Sequence, residues 1–289
     1  MPIANGLPSR RRSALPGLLL ICSVAACGCM LFRGQDAALR LPSQHTVRRG
    51  MLQIRSDSDL EANDPRITEL QSLREEVRDL LKLPDQRRPV VVYLFQNEDR
   101  YSKYMQQRYP KLPARRAFFI GTPAELAVYA YWGEQVREDL RHEYTHGLLH
   151  STLKHVPLWL DEGLAEYFEV APETPDRINR DHAGGLAEML AHGWRPDLPR
   201  LERLDDVSEM QRADYQEAWA WIHFLLHESD ASRDVLLSYL VELQSPVAPP
   251  LFARRLEAEM PQAAERLAGY ISTSLASDVG RATVSTAGP

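Results

Sequence analysis

Cysteine is nearly absent from this chain of 289 residues. Its three cysteines, Cys22, Cys27 and Cys29, all lie close to the amino terminus, and the rest of the sequence has none. This distribution excludes a disulfide framework for the body of the chain. It also excludes a cysteine metal site or a cysteine nucleophile there.

Positive charge is not concentrated anywhere in the body of the chain. The formal net charge is −6, and lysine and arginine form no long run after the first residues. A nucleic-acid-binding protein would be expected to gather these residues on one face or stripe, so we predict no nucleic-acid partner. The composition, 44% hydrophobic and 26% charged, is ordinary for a soluble globular protein and argues against disorder of the whole chain.

Long apolar runs are also missing. The apolar stretch at residues 15–26 follows three arginines and is about a dozen residues long, whereas a membrane-spanning helix needs roughly 20. A cationic patch followed by a short apolar run is typical of a secretory signal peptide. Removing residues 1–26 takes away three arginines and no acidic residue, which lowers the formal charge from −6 to −9.

Residues 24–27 read Val-Ala-Ala-Cys and resemble the lipobox of bacterial lipoproteins, with Val where Leu is usual. The resemblance implies cleavage before Cys27 and lipid modification of that residue. The chain would then lie in the bacterial cell envelope, on the periplasmic or extracellular face, and contact the membrane through its lipid. Cleavage elsewhere by an ordinary signal peptidase is the alternative.

The remaining sequence divides into a tether at 27–58, a domain at 59–275 and a flexible tail at 276–289. Apolar spacing predicts a helix over 67–81, and β-branched and aromatic runs predict strands over 89–95, 117–120 and 126–132. A helix is predicted over 98–109. Further helices are predicted over 136–153, 157–170, 184–191, 213–227, 232–243 and 251–274. We therefore expect an α+β fold, with a small strand-rich lobe followed by a helical lobe.

The motif that carries chemistry is His-Glu-Tyr-Thr-His at residues 142–146. Two histidines four positions apart on a helix project from the same face, so both imidazoles can reach one metal ion. Zn²⁺ suits this pair, because it accepts nitrogen and oxygen ligands and tolerates an open position for water. Glu143 would then be the general base that takes a proton from water. The motif alone still requires a third ligand.

A candidate third ligand is Glu162, in the segment Trp-Leu-Asp-Glu-Gly-Leu-Ala-Glu-Tyr at residues 159–167. This segment lies on the next predicted helix after a short connection, and two antiparallel helices joined so closely pack side by side. Gly163 costs helix stability of about 1 kcal/mol relative to Ala, which indicates close packing beside Glu162.

Together these two segments resemble the gluzincin clan of zinc metallopeptidases, which includes thermolysin-like and aminopeptidase N-like enzymes, and most closely the peptidase MA-like domains of bacterial envelope proteins. The resemblance covers about residues 85–230 and is strongest over 138–169. It implies a zincin-like fold and a role for Glu162 as the third zinc ligand. It also implies an edge strand just before the zinc helix, at 127–132. The 15 residues between His146 and Glu162 are fewer than in the aminopeptidases.

The same resemblance implies two supporting roles. An acidic residue four positions after the third ligand orients a zinc-binding histidine in thermolysin-like relatives, which maps onto Glu166 and His142; the alternative is a solvated carboxylate. A tyrosine on a later helix stabilises the oxyanion, which maps onto Tyr215; the alternative is a half-buried aromatic residue. Glu169 is expected at the surface.

Other histidines offer weaker alternatives. His150 lies about 12 Å along the helix from His142 at 1.5 Å per residue, too far for one tetrahedral ion to take all three. The metzincin pattern requires Gly at 149 and His at 152, where this chain has Leu149 and Thr152. His223 and His227 form a second pair four apart, but no glutamate follows His223, so structural roles are expected.

The leading interpretation is a zinc-dependent hydrolase of peptide bonds in envelope or extracellular peptides and proteins. A zinc-containing domain that only binds a partner is the second interpretation. A metallohydrolase of non-peptide amides or esters is the third, since the same chemistry would support it.

Overall fold

The structure, a computed structural model, describes residues 40–61 and 63–275. The signal peptide, Cys27 and the tail lie outside these residues. Within them, no helix is both long enough and apolar enough to cross a membrane. The strands are β1 (His45–Arg49), β2 (Leu52–Ser56), β3 (Val90–Phe95), β4 (Ala117–Gly121) and β5 (Leu126–Tyr131). The helices are α1 (Pro65–Leu81), α2 (Glu98–Arg108), α3 (Val136–Thr152), α4 (Leu158–Glu169), α5 (Arg180–Ala191), α6 (Leu198–Leu201), α7 (Arg212–His227), α8 (Asp230–Glu242), α9 (Phe252–Glu259) and α10 (Ala263–Tyr270).

The five strands form one sheet in the order β1-β2-β3-β5-β4. The inner strands β2, β3 and β5 are parallel, and β1 and β4 pair antiparallel at the two edges. β3 and β5 have uninterrupted apolar sequences, because strands with both faces covered have no solvent side to mark with polar residues. The fold is α+β, with the sheet on the amino-terminal side and helices after it.

Two sequence predictions about the sheet are wrong. The tether assigned to 27–58 includes β1 and β2, so the folded domain begins well before residue 59. The edge strand was assigned to 127–132, but β5 lies inside the sheet and β4 forms the edge. The edge next to α3 is therefore supplied by Ala117–Gly121.

Alternate residues of β3 pack on opposite faces of the sheet. Val90, Val92 and Leu94 face the main core, which includes residues of α1, α3 and α4. Val91, Tyr93 and Phe95 face a smaller aromatic core under α2. β3 thus separates two apolar layers, as the period of two in a strand allows.

The helices after β5 pack on one another rather than on the sheet alone. α3 lies against β4, β5 and α4, and α4 lies between α3 and α7. The predicted helices are found, except that the segment 251–274 is divided into α9, α10 and a short π-helical turn at Ile271–Leu275. The position of α3, between sheet and helical lobe, decides where the candidate site lies.

Candidate metal centre

α3 is held close to the sheet at the point where it carries the candidate ligands. A Cβ atom added to Gly147 would lie 2.7 Å from Val90 Cγ1 of β3, so only glycine fits this contact. His142 and His146 lie on one side of the helix, with ring centroids 5.0 Å apart and ring planes at 73°. Their Nε2 atoms both face α4.

α4 brings Glu162 to these two histidines. Glu162 Oε2 lies 3.6 Å from His142 Nε2 and 3.8 Å from His146 Nε2. Its side chain is buried, and Oε2 has no hydrogen-bond partner within the described part of the chain. A buried carboxylate oxygen without a partner costs considerable free energy. Its position between two imidazole nitrogens is therefore one that a bound cation would stabilise.

The spacing of the three atoms fits a small tetrahedral ion. Nitrogen and oxygen ligands about 2.0–2.1 Å from zinc lie roughly 3.4 Å from one another in a tetrahedron, close to the observed 3.6 and 3.8 Å. Among the described residues, His142, His146 and Glu162 form one of two groups whose ligand atoms lie within 4.8 Å of each other. The second group, His142, Glu166 and Glu169, shares His142. The structure thus brings together all three residues that the sequence predicted as ligands.

Both histidines have a carboxylate at their other ring nitrogen. His142 Nδ1 hydrogen-bonds to Glu169 Oε2 at 2.9 Å, and His146 Nδ1 lies 2.8 Å from Asp161 Oδ1. A carboxylate at Nδ1 fixes the ring orientation and leaves Nε2 to coordinate the metal, an arrangement common in zinc proteins.

Two predictions about these supporting carboxylates are wrong. Glu166 was predicted to orient His142, but its Oε2 accepts a hydrogen bond from His182 Nε2 at 2.9 Å. Glu169, expected to be a surface residue, holds His142 instead. The role of Asp161 was not predicted, although its place directly before Glu162 was the available signal. Asp161 also accepts a hydrogen bond from His150 Nε2 at 2.8 Å.

The neighbouring carboxylates change the pKa values of both His142 and His146. Burial alone would lower the pKa of His142, but the carboxylates of Glu162 and Glu169 outweigh it and raise that pKa well above its usual value. Burial alone would also lower the pKa of His146, but Asp161 and Glu162 outweigh it and raise that pKa to about 9. A metal ion bound at Nε2 would compete with a proton for the same ring nitrogen.

Glu143 lies between α3 and the sheet edge. Its Oε2 accepts a hydrogen bond from the backbone N–H of Phe119 in β4 at 2.5 Å. Burial raises the pKa of Glu143, and the neighbouring His142 and His146 oppose that effect. A carboxylate whose pKa is raised toward neutrality is better suited to accept and then return a proton.

Tyr215, at the start of α7, is linked to the site through Arg115, which lines the same cavity as the candidate ligands. Arg115 Nη2 donates a hydrogen bond to Tyr215 Oη at 3.2 Å. Burial raises the pKa of Tyr215, and the charges of Arg115, Glu162 and His142 also act on it. The phenol is therefore near the candidate ligands, with an arginine beside it that the sequence reasoning did not single out.

The candidate ligands line an open cavity of about 470 Å³. Its wall includes Phe119 of β4, whose ring stacks on His146 with centroids 6.1 Å apart and planes at 23°. The segments 111–115 and 206–208 close its sides. A volume of this size is within the range of binding clefts for small molecules and peptide segments.

A buried arginine ties the two helices together next to the site. Arg141, which precedes His142, is 2% exposed. Its Nε donates to the carbonyl oxygens of Phe168 at 2.9 Å and Glu169 at 3.2 Å, at the end of α4. Arg177 also donates to the carbonyl of Val170 there. Cations at carbonyl groups that have no partner within the helix stabilise a helix end. Here they also hold the backbone of Glu169 in the position from which its side chain reaches His142.

His223 and His227 do not join the site. His223 hydrogen-bonds to Tyr270 Oη at 2.9 Å and to the carbonyl of Asp176 at 2.8 Å. His227 Nε2 hydrogen-bonds to Tyr167 Oη at 2.9 Å. The two rings stack with centroids 4.4 Å apart, so both have structural partners in the helical lobe.

The site and fold define an α+β domain with a candidate metal site of two histidines and one glutamate beside a sheet edge. The family described as "Protein of unknown function (DUF1570)" matches residues 138–248, which include α3, α4 and α7. No curated protein matches the chain. An M1 zinc metallopeptidase from Deinococcus radiodurans is similar in structure, with 15% identity and a TM-score of 0.42 over 81% of this chain and 51% of that chain. A single-residue mutant of that enzyme gives 15% identity and a TM-score of 0.40 over 81% and 52%. The present chain thus spans about half the length of these proteins.

Proposed function

We propose that this chain is a zinc-dependent peptidase with zinc held by His142, His146 and Glu162. The observation that carries the proposal is the buried Glu162 Oε2, which has no hydrogen-bond partner among the described residues and lies 3.6 and 3.8 Å from two imidazole nitrogens. Glu143 stands beside this point and supplies the base that hydrolysis needs.

The donor set favours zinc among the common metal ions. Two imidazoles and one carboxylate with an open fourth position are the ligands of catalytic zinc sites, whereas magnesium and calcium prefer oxygen donors. Bound zinc supplies a Lewis acid that polarises a carbonyl group and promotes the loss of a proton from water.

Glu143 moves the proton in this proposal. Its Oε2 accepts a proton from the attacking water and later donates it to the departing amine. The N–H of Phe119 keeps this carboxylate turned toward the sheet edge, 2.5 Å from the backbone. The peptide bond would therefore be expected next to β4.

β4 is the outer strand at its side of the described sheet, so an extended peptide can pair with its outward-pointing backbone groups. In an antiparallel pair, alternate residues point their N–H and C=O groups toward the partner strand or away from it. The N–H of Phe119 points to Glu143, so it points away from β5. Ala117 and Gly121 share this direction, and their free groups would hydrogen-bond to a bound peptide.

Tyr215 and Arg115 are proposed to supply hydrogen-bonding character and positive charge to the site. The phenol O–H of Tyr215 is proposed to donate to the oxygen that gains negative charge during hydrolysis. Arg115 donates a hydrogen bond to Tyr215 Oη, and its positive charge would help to stabilise this negative charge.

Purified protein tests the proposal directly. We expect about one zinc ion per chain by elemental analysis and cleavage of an unfolded substrate such as casein. Glu143→Ala should keep the zinc and lose cleavage. Glu162→Ala should lose the zinc. Glu138→Ala, an exposed position on the same helix, is the matched control and should change neither.

Four results would contradict parts of the proposal. Full cleavage by Glu143→Ala would remove that residue as the base. Stoichiometric zinc in Glu162→Ala would point to another third ligand. Zinc with tight casein binding but no cleavage by the parent protein would favour the partner-binding domain, and cleavage confined to model esters would favour a non-peptide hydrolase.

Attachment to the envelope through Cys27 is a separate part of the proposal. It rests on the lipobox-like residues 24–27. Labelling cells with a radioactive fatty acid should mark the full chain and fail to mark Cys27→Ser, and that variant should leave the membrane fraction. Equal labelling of both would contradict lipidation at Cys27.

A further inference from the structure

A second cavity lies on the opposite face of the sheet from the candidate metal centre. It has a volume of about 340 Å³. We name it the aromatic cavity after its main lining residues, Tyr101, Met105, Tyr109, Phe118 and Tyr131. None of these residues has a role in the proposed hydrolysis.

The aromatic cavity and the metal cleft meet at β4. Both are lined by Leu112, Pro113, Arg115 and Phe118. The shared residues therefore place the two cavities next to each other at β4. A chain paired with β4 would lie across this junction.

The pleat of the sheet determines which side chains of a bound chain enter each cavity. Phe119 faces the metal cleft and contacts the main core, whereas Phe118 packs on the aromatic core under α2. Residues directly opposite each other on paired strands show their side chains on the same face. A peptide residue beside Phe119 thus faces the metal, and its sequence neighbour beside Phe118 faces the aromatic cavity.

We propose that the aromatic cavity is a specificity pocket that binds an aromatic side chain of the peptide substrate, next in sequence to the residue that faces the metal. This inference rests on the proposed function, since it takes the occupant from a peptide bound along β4. It adds the substrate class, which is a peptide with an aromatic residue next in sequence to the residue that faces the metal.

The lining of the cavity selects an aromatic occupant. Four of its fourteen lining residues are aromatic, beside the charged Glu98, Arg115 and Arg116. Rings prefer tilted or offset contacts with other rings at centroid distances of 4.5–7 Å. Tyr101 and Tyr131 already show such a contact at 5.2 Å and 47°. The thioether of Met105 adds a favourable sulfur–aromatic contact. At the mouth, Leu112 is 40% exposed, so an entering side chain would also cover its apolar surface.

Peptides that differ at one position test this pocket. A set of internally quenched peptides carries Phe, Tyr, Leu, Ala or Asp at each position around the cleavage site in turn. We expect kcat/KM at one position adjacent to the metal-facing residue to be at least about 10-fold higher for Phe or Tyr than for Ala, because even one methylene in an apolar pocket changes it about 10-fold or more.

Two neighbouring glutamines on α2 provide a matched pair of variants. Gln106 and Gln107 are both exposed, but only Gln106 lines the aromatic cavity. Gln106→Trp should fill the cavity and reduce the Phe-to-Ala ratio to near one. Gln107→Trp places the same side chain outside the cavity and should keep the parental ratio. Circular dichroism of both variants checks that each is folded.

Binding distinguishes failure of the pocket from failure of the proposed function. Fluorescence anisotropy measures the affinity of zinc-loaded Glu143→Ala for the Phe and Ala peptides without any cleavage. A preference for Phe that Gln106→Trp removes and Gln107→Trp retains supports the pocket, even if the parent protein cleaves nothing. Equal affinity for Phe and Ala peptides, or the same preference in both tryptophan variants, overturns it.

Discussion

Gly163 of α4 lies directly against the backbone of Ala218 in α7. A Cβ atom at position 163 would be 2.6 Å from the carbonyl oxygen of Ala218 and 2.8 Å from Ile222 Cγ1. Glu162 directly precedes Gly163. The distance between α4 and α7 therefore decides how far Glu162 reaches toward His142 and His146. A glycine that costs helix stability is retained where the helix must approach another backbone.

Gly163→Ala should therefore weaken both the fold and the metal site. Forcing a methyl group against backbone costs about 1–3 kcal/mol of unfolding free energy, and α4 must move away from α7. We expect a lower urea midpoint and a lower zinc affinity. Gly184→Ala is the control, because nothing lies within 4 Å of a Cβ at that helical position. It should gain about 0.5–1 kcal/mol without a change in zinc affinity, and a similar result for both variants would contradict the packing argument.

The partner of His142 can be tested with two glutamates on one helix. Glu169→Gln should weaken zinc binding about 10- to 100-fold, since loss of a carboxylate behind a ligating histidine has this effect. Glu166→Gln should have the smaller effect, because Glu166 bonds to His182. Competition with a chromogenic chelator measures both affinities. A larger loss for Glu166→Gln would restore the assignment that the sequence suggested.

Asp161 should act on His146 in the same manner. Asp161→Asn removes the negative charge 2.8 Å from His146 Nδ1, and we expect a loss in zinc affinity of about 10- to 100-fold. His150→Gln removes only the other partner of Asp161 and should leave the affinity within about threefold, a margin of roughly 0.6 kcal/mol. Unchanged affinity in Asp161→Asn would show that packing against Phe119 alone positions the imidazole.

The buried His223 predicts a pH dependence of stability. Burial, together with the nearby charge of His227, lowers the pKa of His223 to about 3, whereas an unfolded histidine has a pKa of about 6.5. The folded protein thus binds fewer protons here, so its stability is complete above pH 6.5. It falls by up to about 1.4 kcal/mol per pH unit as pH decreases toward 3.

His223→Gln checks this prediction, because it removes the titrating ring and keeps polar groups. Urea unfolding of parent and variant between pH 7.5 and 4 should show a steeper loss of stability in the parent. Parallel curves for the two proteins would mean that other groups account for the acid sensitivity.

The sequence predicted most of the helices and the strands β3, β4 and β5, because their apolar patterns are long or regular. It missed β1 and β2, whose short sequences alternate with many polar residues. In β1 only Val47 is buried, so the hydrophobic pattern of this edge strand is too weak to predict it. The interior position of β5 does have a sequence signal. All of Leu126–Tyr131 is apolar, which is typical of an interior strand.

The choice between Glu166 and Glu169 was not available from the sequence. Both lie on the side of α4 that approaches α3, three residues apart. Which one reaches His142 depends on the offset and crossing of two helices. That geometry is set by contacts such as Gly163 with Ala218 and Arg141 with the end of α4, which no local pattern encodes. Glu162 itself was predicted mainly through resemblance to known families.

Arg141 joins the first ligand helix to the end of the second through the carbonyl groups of Phe168 and Glu169. This cross-link involves no metal, and it fixes the spacing of α3 and α4 in the same residues that surround the site. Zinc fingers differ, since their chains remain unfolded until the ion arrives. Here the ion would enter a framework that is already assembled. Under the proposed function, zinc binding would therefore be separable from folding, and the metal-free protein should already hold α3 and α4 in place.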